Sequence, residues 1–201
     1  MDIPASDGAL RHIRRYRLAW RLLAHQVRAG MISAMTSFSR HQLSTLRRRW
    51  GIAANRRLCG RSPISPNRYI HPPRTRSESA VLAAFCRTYG VALPGHLAHA
   101  PRKRLLTLEL GERLCPTYEA FCACFPQSTL DFEKAVTLIF EIAKDDLIGL
   151  EHCESCGATV LIDRLAPRSP ICEYCEQERR HKRALSRPNP RIGDPGAAAR
   201  R

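Results

Sequence analysis

Cys153-x-x-Cys156 and Cys172-x-x-Cys175 are two matching pairs with fifteen residues between them, in the stretch HCESCGATVLIDRLAPRSPICEYCEQERRHKR at 152–183. No other feature restricts the fold as much. Each pair can grip an ion from a tight turn, and two pairs complete a tetrahedron. The connection GATVLIDRLAPRSPI is long enough to return as a hairpin and close the site, with ATVLI (158–162) as a strand and APRSP (166–170) as its turn. Gly157 follows the first pair, where a knuckle needs an easy positive φ so that amides point at sulfur. Glu176 holds the matching place after the second pair, which is therefore expected to be less regular.

A thioredoxin-type redox pair stands alone at the start of a helix, whereas here the first pair precedes a strand-like run. Cys153, Cys156, Cys172 and Cys175 are thus expected to hold one Zn²⁺ per chain. Four protein ligands leave no open position for water, so such a site folds the chain rather than catalysing. Four thiolates also leave excess negative charge, and Arg164, Arg168, Arg179 and Lys182 are nearby candidates to offset it. His152 and His181 flank the knot as surface residues. The other cysteines, Cys59, Cys86, Cys115, Cys122 and Cys124, have no ligand spacing and read as small buried hydrophobes.

The charge is unevenly spread. Lys and Arg number 33 against 18 acids, a net +15 over 201 residues, with a pI near 10.1. Residues 1–76 contain sixteen arginines and two acids, Asp2 and Asp7; the rest of the chain is nearly balanced. A basic half built from arginine, the residue suited to forked bonds with phosphate and guanine, implies a nucleic-acid partner. No apolar core of a secretory signal lies in the first residues, and the longest apolar runs, AVLAAFC (80–86) and VTLIF (136–140), are too short to span a bilayer. The expectation is a cytoplasmic protein with reduced thiols and no membrane contact.

Periodicity predicts a mainly α chain. Leu10–Ala29 reads as an amphipathic helix stopped by Gly30, and Met31–Thr36 as a second short piece. Ser39 followed three residues later by Gln42 is a capping box. Leu43, Leu46 and Trp50 then share one face, and Gly51 stops the helix. A short helix, a tight turn and a capped helix carrying Arg40, Arg47, Arg48 and Arg49 make a helix-turn-helix-like segment over 9–51, with those arginines facing out toward DNA. Residues 52–77 are Arg/Pro-rich and read as extended. A helical core over 78–149 follows: Glu78–Tyr89 stopped by Gly90, Arg104–Arg113, Thr117–Phe125, and a long helix over 128–150 with Ser128 as its cap. The zinc module spans 150–176. A basic tail, 177–201, reads as partly disordered and adds Arg179, Arg180, Lys182 and Arg183 as DNA contacts. There is no nucleophile–base set, paired-carboxylate motif or Gly-rich phosphate loop, so a non-enzymatic role is expected.

Three segments together resemble the FlhC family, subunits of the bacterial flagellar master transcription regulator. They are LLAHQVRAGMISAMTSFSRHQLSTLRRRWG (22–51), CGRSPISPNRYI (59–70) and LEHCESCGATVLI with SPICEYC (150–175). Tyr69-Ile70 stands where the family usually has Trp-Phe, and 94–117 shows little likeness. The resemblance implies a DNA-binding activator subunit. It would assemble with FlhD-type chains in a heterohexamer of two FlhC-type and four FlhD-type subunits, bind double-stranded promoter DNA, and act on RNA polymerase indirectly at flagellar operons. It also implies that the four cysteines ligate zinc. The competing readings are an RNA- or ribosome-associated zinc ribbon, a divergent regulator of non-flagellar operons, and a scaffold for an acidic protein.

Overall fold

The structure is a computed structural model that describes residues 7–52, 67–91, 100–165 and 169–185. Over these the chain is mainly helical. The order is α1 (Asp7–Ala24), α2 (Ala29–Thr36), α3 (Arg40–Arg49), α4 (Asn67–Ile70), α5 (Pro73–Thr88), α6 (Arg102–Leu105), α7 (Leu108–Cys124), α8 (Phe132–Lys144), β1 (Ile148–His152), β2 (Thr159–Asp163) and α9 (Glu173–Leu185). One core joins α1, α2, α5, α7 and α8 around Leu22, Ile32, Leu82, Leu114, Phe121, Phe132 and Leu138, all fully buried. Gly111 lets α1 approach α7 closely, since a Cβ there would lie 2.6 Å from Leu18 Cδ2. No described helix is long and apolar enough to cross a membrane.

The local signals around α3 hold. Ser39 Oγ accepts from the Gln42 amide at 3.2 Å, and Gln42 Oε1 accepts from the Ser39 amide at 2.8 Å, completing the capping box. Gly51 ends α3 at φ +65, and Gly90 follows α5 at φ +67, each in the left-handed conformation that glycine adopts without steric cost. On α8, Phe132, Val136 and Ile139 recur at helical spacing and are buried.

Several boundaries differ from the sequence-based expectation. The first helix stops at Ala24, not Gly30, because Gln26 takes φ +59 and closes the end: its amide bonds Leu23 O at 3.0 Å, and the Val27 amide bonds Leu22 O at 2.9 Å. Gly30 lies within α2. The segment expected to be extended over 52–77 already contains α4 and the start of α5, for which Pro73 is a natural first residue; residues 53–66 and 92–99 lie outside the described ones. What reads as two helices around Pro116 is one, α7, capped by Thr107 at 3.1 Å from the Leu110 amide. A proline inside a helix frees carbonyls of the preceding turn, and the Thr117 hydroxyl donates to Arg113 O at 2.9 Å. The helix expected over 128–150 covers only Phe132–Lys144. Asp131, not Ser128, caps it, and Asp145 ends it at φ +54. The chain then enters β1, which the sequence reading takes as helix.

β1 and β2 pair antiparallel, from Ile148 opposite Asp163 to His152 opposite Thr159. Alternation along the strand splits its duties. Leu161 joins the main core with Ile148, while Val160 and Ile162 pack in a satellite cluster with Cys153 and Cys175. The hairpin therefore welds the cysteine knot to the helical body.

Candidate metal centre

The first pair occupies the turn of the β1–β2 hairpin. The sequence-based expectation put the hairpin between the two pairs; instead it wraps the first pair, and the chain after β2 travels on to the second. The Cys153 amide bonds Ala158 O at 2.7 Å, and the Gly157 amide bonds Cys153 O at 2.8 Å. Gly157 sits at φ +73, as a knuckle glycine should. The second pair is built differently. Cys172 precedes α9 and Cys175 lies in its first turn. The Glu176 amide bonds Cys172 O at 3.0 Å. A helix start thus completes this knuckle, and no positive φ is needed at Glu176.

These elements bring the sulfurs of Cys153, Cys156, Cys172 and Cys175 within 4.8 Å of one another, with Cys156 Sγ and Cys172 Sγ 3.6 Å apart. A metal–sulfur bond of about 2.3 Å in a tetrahedron requires sulfurs about 3.8 Å apart, so the cluster fits a metal ion. Cys153 and Cys175 are buried and Cys156 is exposed. The Cys172 amide, 3.3 Å from Cys153 Sγ, pulls the Cys153 thiol down to about 6, with the Ser155 and Cys156 amides assisting. Hydrogen bonding to Cys172 and burial push Cys175 up to about 12. Amides converging on sulfur stabilise thiolate, the form that binds metal. The satellite cluster holds only Cys153, Val160 and Cys175, backed by Ile162, Ile171 and Cys172. So small a core gains from a metal staple.

The basic residues sort into two classes. On α1, Arg14 grips Glu112 of α7 (Nε–Oε1 2.8 Å) and Arg21 grips Glu119 (Nε–Oε1 3.0 Å), each through two bonds. Arg28 pairs with Glu133, Arg74 with Glu78, and Arg76 with Glu173. Arg15 donates to Thr36 O and stacks 4.6 Å above the Phe38 ring. Five of the sixteen arginines in the first 76 residues, Arg14, Arg21, Arg28, Arg74 and Arg76, are therefore matched to acids that come after residue 76.

Among the expected DNA contacts, Arg40, Arg48 and Arg49 are exposed on α3, and no described acid pairs with them. Arg47 is the exception. It is 8% exposed and buried beside Leu43 and Leu46, because it falls one position after Leu46 on the inward side of a ten-residue helix. The tail expected to be partly disordered is helical through Leu185, with 186–201 outside the described residues. Its Arg180 pairs with Glu176 and its Lys182 with Glu178, while Arg183 is exposed.

The charges expected to offset the thiolates also redistribute. Arg164 is held by Asp145 and Glu151 at 2.9 Å each, Lys182 is engaged as above, and Arg168 is outside the described residues. Arg179 remains: its Nη2 donates to Ser155 Oγ, between the first two cysteines, at 2.8 Å. Cys86 and Cys115 are buried as expected, with burial pushing each thiol up to about 12. Cys122 is half-buried and Cys124 exposed, because they fall at the C-terminal end of α7; Cys59 is outside the described residues. A search of protein-family models and of curated proteins finds no match to this chain.

Proposed function

We propose that this chain is a zinc-pegged, DNA-binding subunit of a transcription activator, acting with a partner chain of the FlhD type. The observation that carries the reading is the division among its arginines. Arg14 and Arg21 of α1 are spent on α7, while Arg40, Arg48 and Arg49 of α3 face solvent with no described acid paired to them. α3 follows α2 after only Ser37, Phe38 and Ser39, which supports a helix-turn-helix with α3 as the recognition helix. Its N-terminal Arg40 would read base edges, and Arg48 and Arg49 would grip phosphate.

Zinc is the ion best suited to four thiolates at tetrahedral spacing. Cys153, Cys156, Cys172 and Cys175 would hold it, and it would supply folding energy rather than chemistry. This chain's own residues do the rest. Arg179 brings positive charge to the first knuckle, and Arg76 ties the second knuckle to α5. The resemblance to FlhC-type subunits supports flagellar operons as targets and a heterohexamer as the assembly.

The test is co-purification with an FlhD-type protein, then footprinting on a flagellar promoter. A protected site that requires both chains supports the reading. Equal binding to RNA and to scrambled duplex would favour the zinc-ribbon alternative.

A further inference from the structure

Both tryptophans of the chain, Trp20 and Trp50, line one groove of about 580 Å³ bounded by α1, Glu112 of α7 and the end of α3. Trp20 is 54% exposed, although α1 is otherwise anchored by Leu18, Ala19, Leu22 and Leu23. Toward the N-terminus, Ile13 and Leu10 are 54% and 50% exposed. Positions 10, 13, 17 and 20 follow one another along a single helical face. Large apolar side chains left open side by side mark an interaction surface rather than an ordinary exterior. The rim is basic. Arg17, which lines the groove, is exposed with no described acid paired to it, and the acid in the groove wall, Glu112, is already taken by Arg14.

We infer that this groove docks an amphipathic helix of another protein, one whose apolar stripe is flanked by Asp and Glu. Charge selects the occupant. A second copy on a two-fold axis would set Arg17 against the same basic surface of its mate. The segment 53–66, which follows Ile52, brings Arg56, Arg57 and Arg61 and no acid, so its charge matches the rim in sign. Single-stranded nucleic acid would stack on the tryptophans, but Leu10 and Ile13 offer it no aromatic face. An acidic helix satisfies both parts of the surface, as in helix-in-groove recognition. The inference deepens the functional reading, which calls for a partner chain, and rests on it only to that extent.

The experiment titrates the full-length protein with three synthetic helical peptides of about 18 residues, the length of α1. One has a Leu stripe with Glu flanks, one the same stripe with Lys flanks, and one Glu flanks with a Ser stripe. Tryptophan emission reports directly, because both tryptophans line the groove. The Leu/Glu peptide shifts emission to the blue and binds about tenfold or more tightly than either control. Ile13→Glu removes that preference while leaving the melting temperature in place, since Ile13 is exposed. Equal binding of the Lys-flanked or Ser-stripe peptide overturns the inference, as does unchanged binding by Ile13→Glu. A concentration-dependent dimer abolished by Ile13→Glu would make a second copy the occupant, and oligo-dT binding abolished by it would make nucleic acid the occupant; either result overturns the proposal. Promoter binding is measured in parallel. Lost peptide preference with promoter binding intact sinks this inference alone, and the reverse sinks the functional reading alone.

Discussion

Arg76 in α5 donates to Glu173 Oε2 at 2.6 Å and lies 3.7 Å from Glu176, so the helical body holds the same turn of α9 that carries Cys175. Both partners are largely buried, with side chains 26% and 17% exposed. Hydrogen bonds between ionised groups in such places contribute about 1–3 kcal/mol. Arg76→Ala is expected to loosen the second knuckle while leaving the body folded. The check is amide exchange: protection falls at 172–185 and stays constant in α8.

Glu133 anchors the junction of α1 and α2. It accepts from the Arg28 amide at 2.7 Å and pairs with the Arg28 guanidinium, and its side chain is 2% exposed. Removing one partner of a buried pair leaves the other charge uncompensated, at a cost of about 3–5 kcal/mol. Glu133→Ala should therefore lower the denaturation midpoint far more than Glu109→Ala, whose side chain is 66% exposed. Urea melts of the two variants decide this.

Glu78 carries a pH dependence. Burial pushes its carboxyl up, but Arg74, the Thr129 amide and hydroxyl and the Ser128 hydroxyl together hold it below the usual range. Arg21 similarly holds Glu119 down, with His25 assisting. A depressed folded pKa stabilises above the unfolded value, about 4.3, and that stability drains away as pH falls through and below it. The melting temperature should decline between about pH 5 and 3. Glu78→Gln, already lacking the charge, should start lower at neutral pH and decline less steeply.

On α3 the arginines should separate by role. Arg40→Ala weakens the preferred promoter more than random duplex, by about 1–3 kcal/mol if it reads a guanine. Arg48→Ala weakens both alike and reduces the salt slope, which is about −0.9 per neutralised phosphate. Arg47→Ala should instead lower stability, because that side chain is buried. Binding on promoter and scrambled duplexes, with melts of each variant, tells these apart. Unchanged affinities in Arg40→Ala and Arg48→Ala would contradict the recognition-helix assignment.

Features that depend on neighbours in sequence were legible in it. The Ser39–Gln42 box, the glycine stop at Gly51 and the two knuckle pairs are local, and each forms as its spacing implies. Features that depend on distant partners were not. The α1 arginines look like a nucleic-acid face until Glu112 and Glu119, 98 residues away, take up Arg14 and Arg21. Glutamine rarely takes a left-handed turn, so Gln26 gave no sign that α1 ends early. Pro116 mimics a helix break that packing of Leu114, Cys115 and Phe121 overrides. The start of β1 is hidden because Asp145 and Asp146 continue the composition of α8 without a glycine or proline stop.

The central claim is a structural metal held by four thiolates, and the metal content of the purified protein tests it most directly. The chain would be prepared under reducing conditions and assayed for bound metals, beside Cys156→Ser and the double variant Cys153→Ser/Cys172→Ser. One zinc per chain in the parent is predicted, with metal lost and the 148–185 module unprotected against proteolysis in both variants. Zinc-free parent protein, or full zinc occupancy in the double variant, would contradict it.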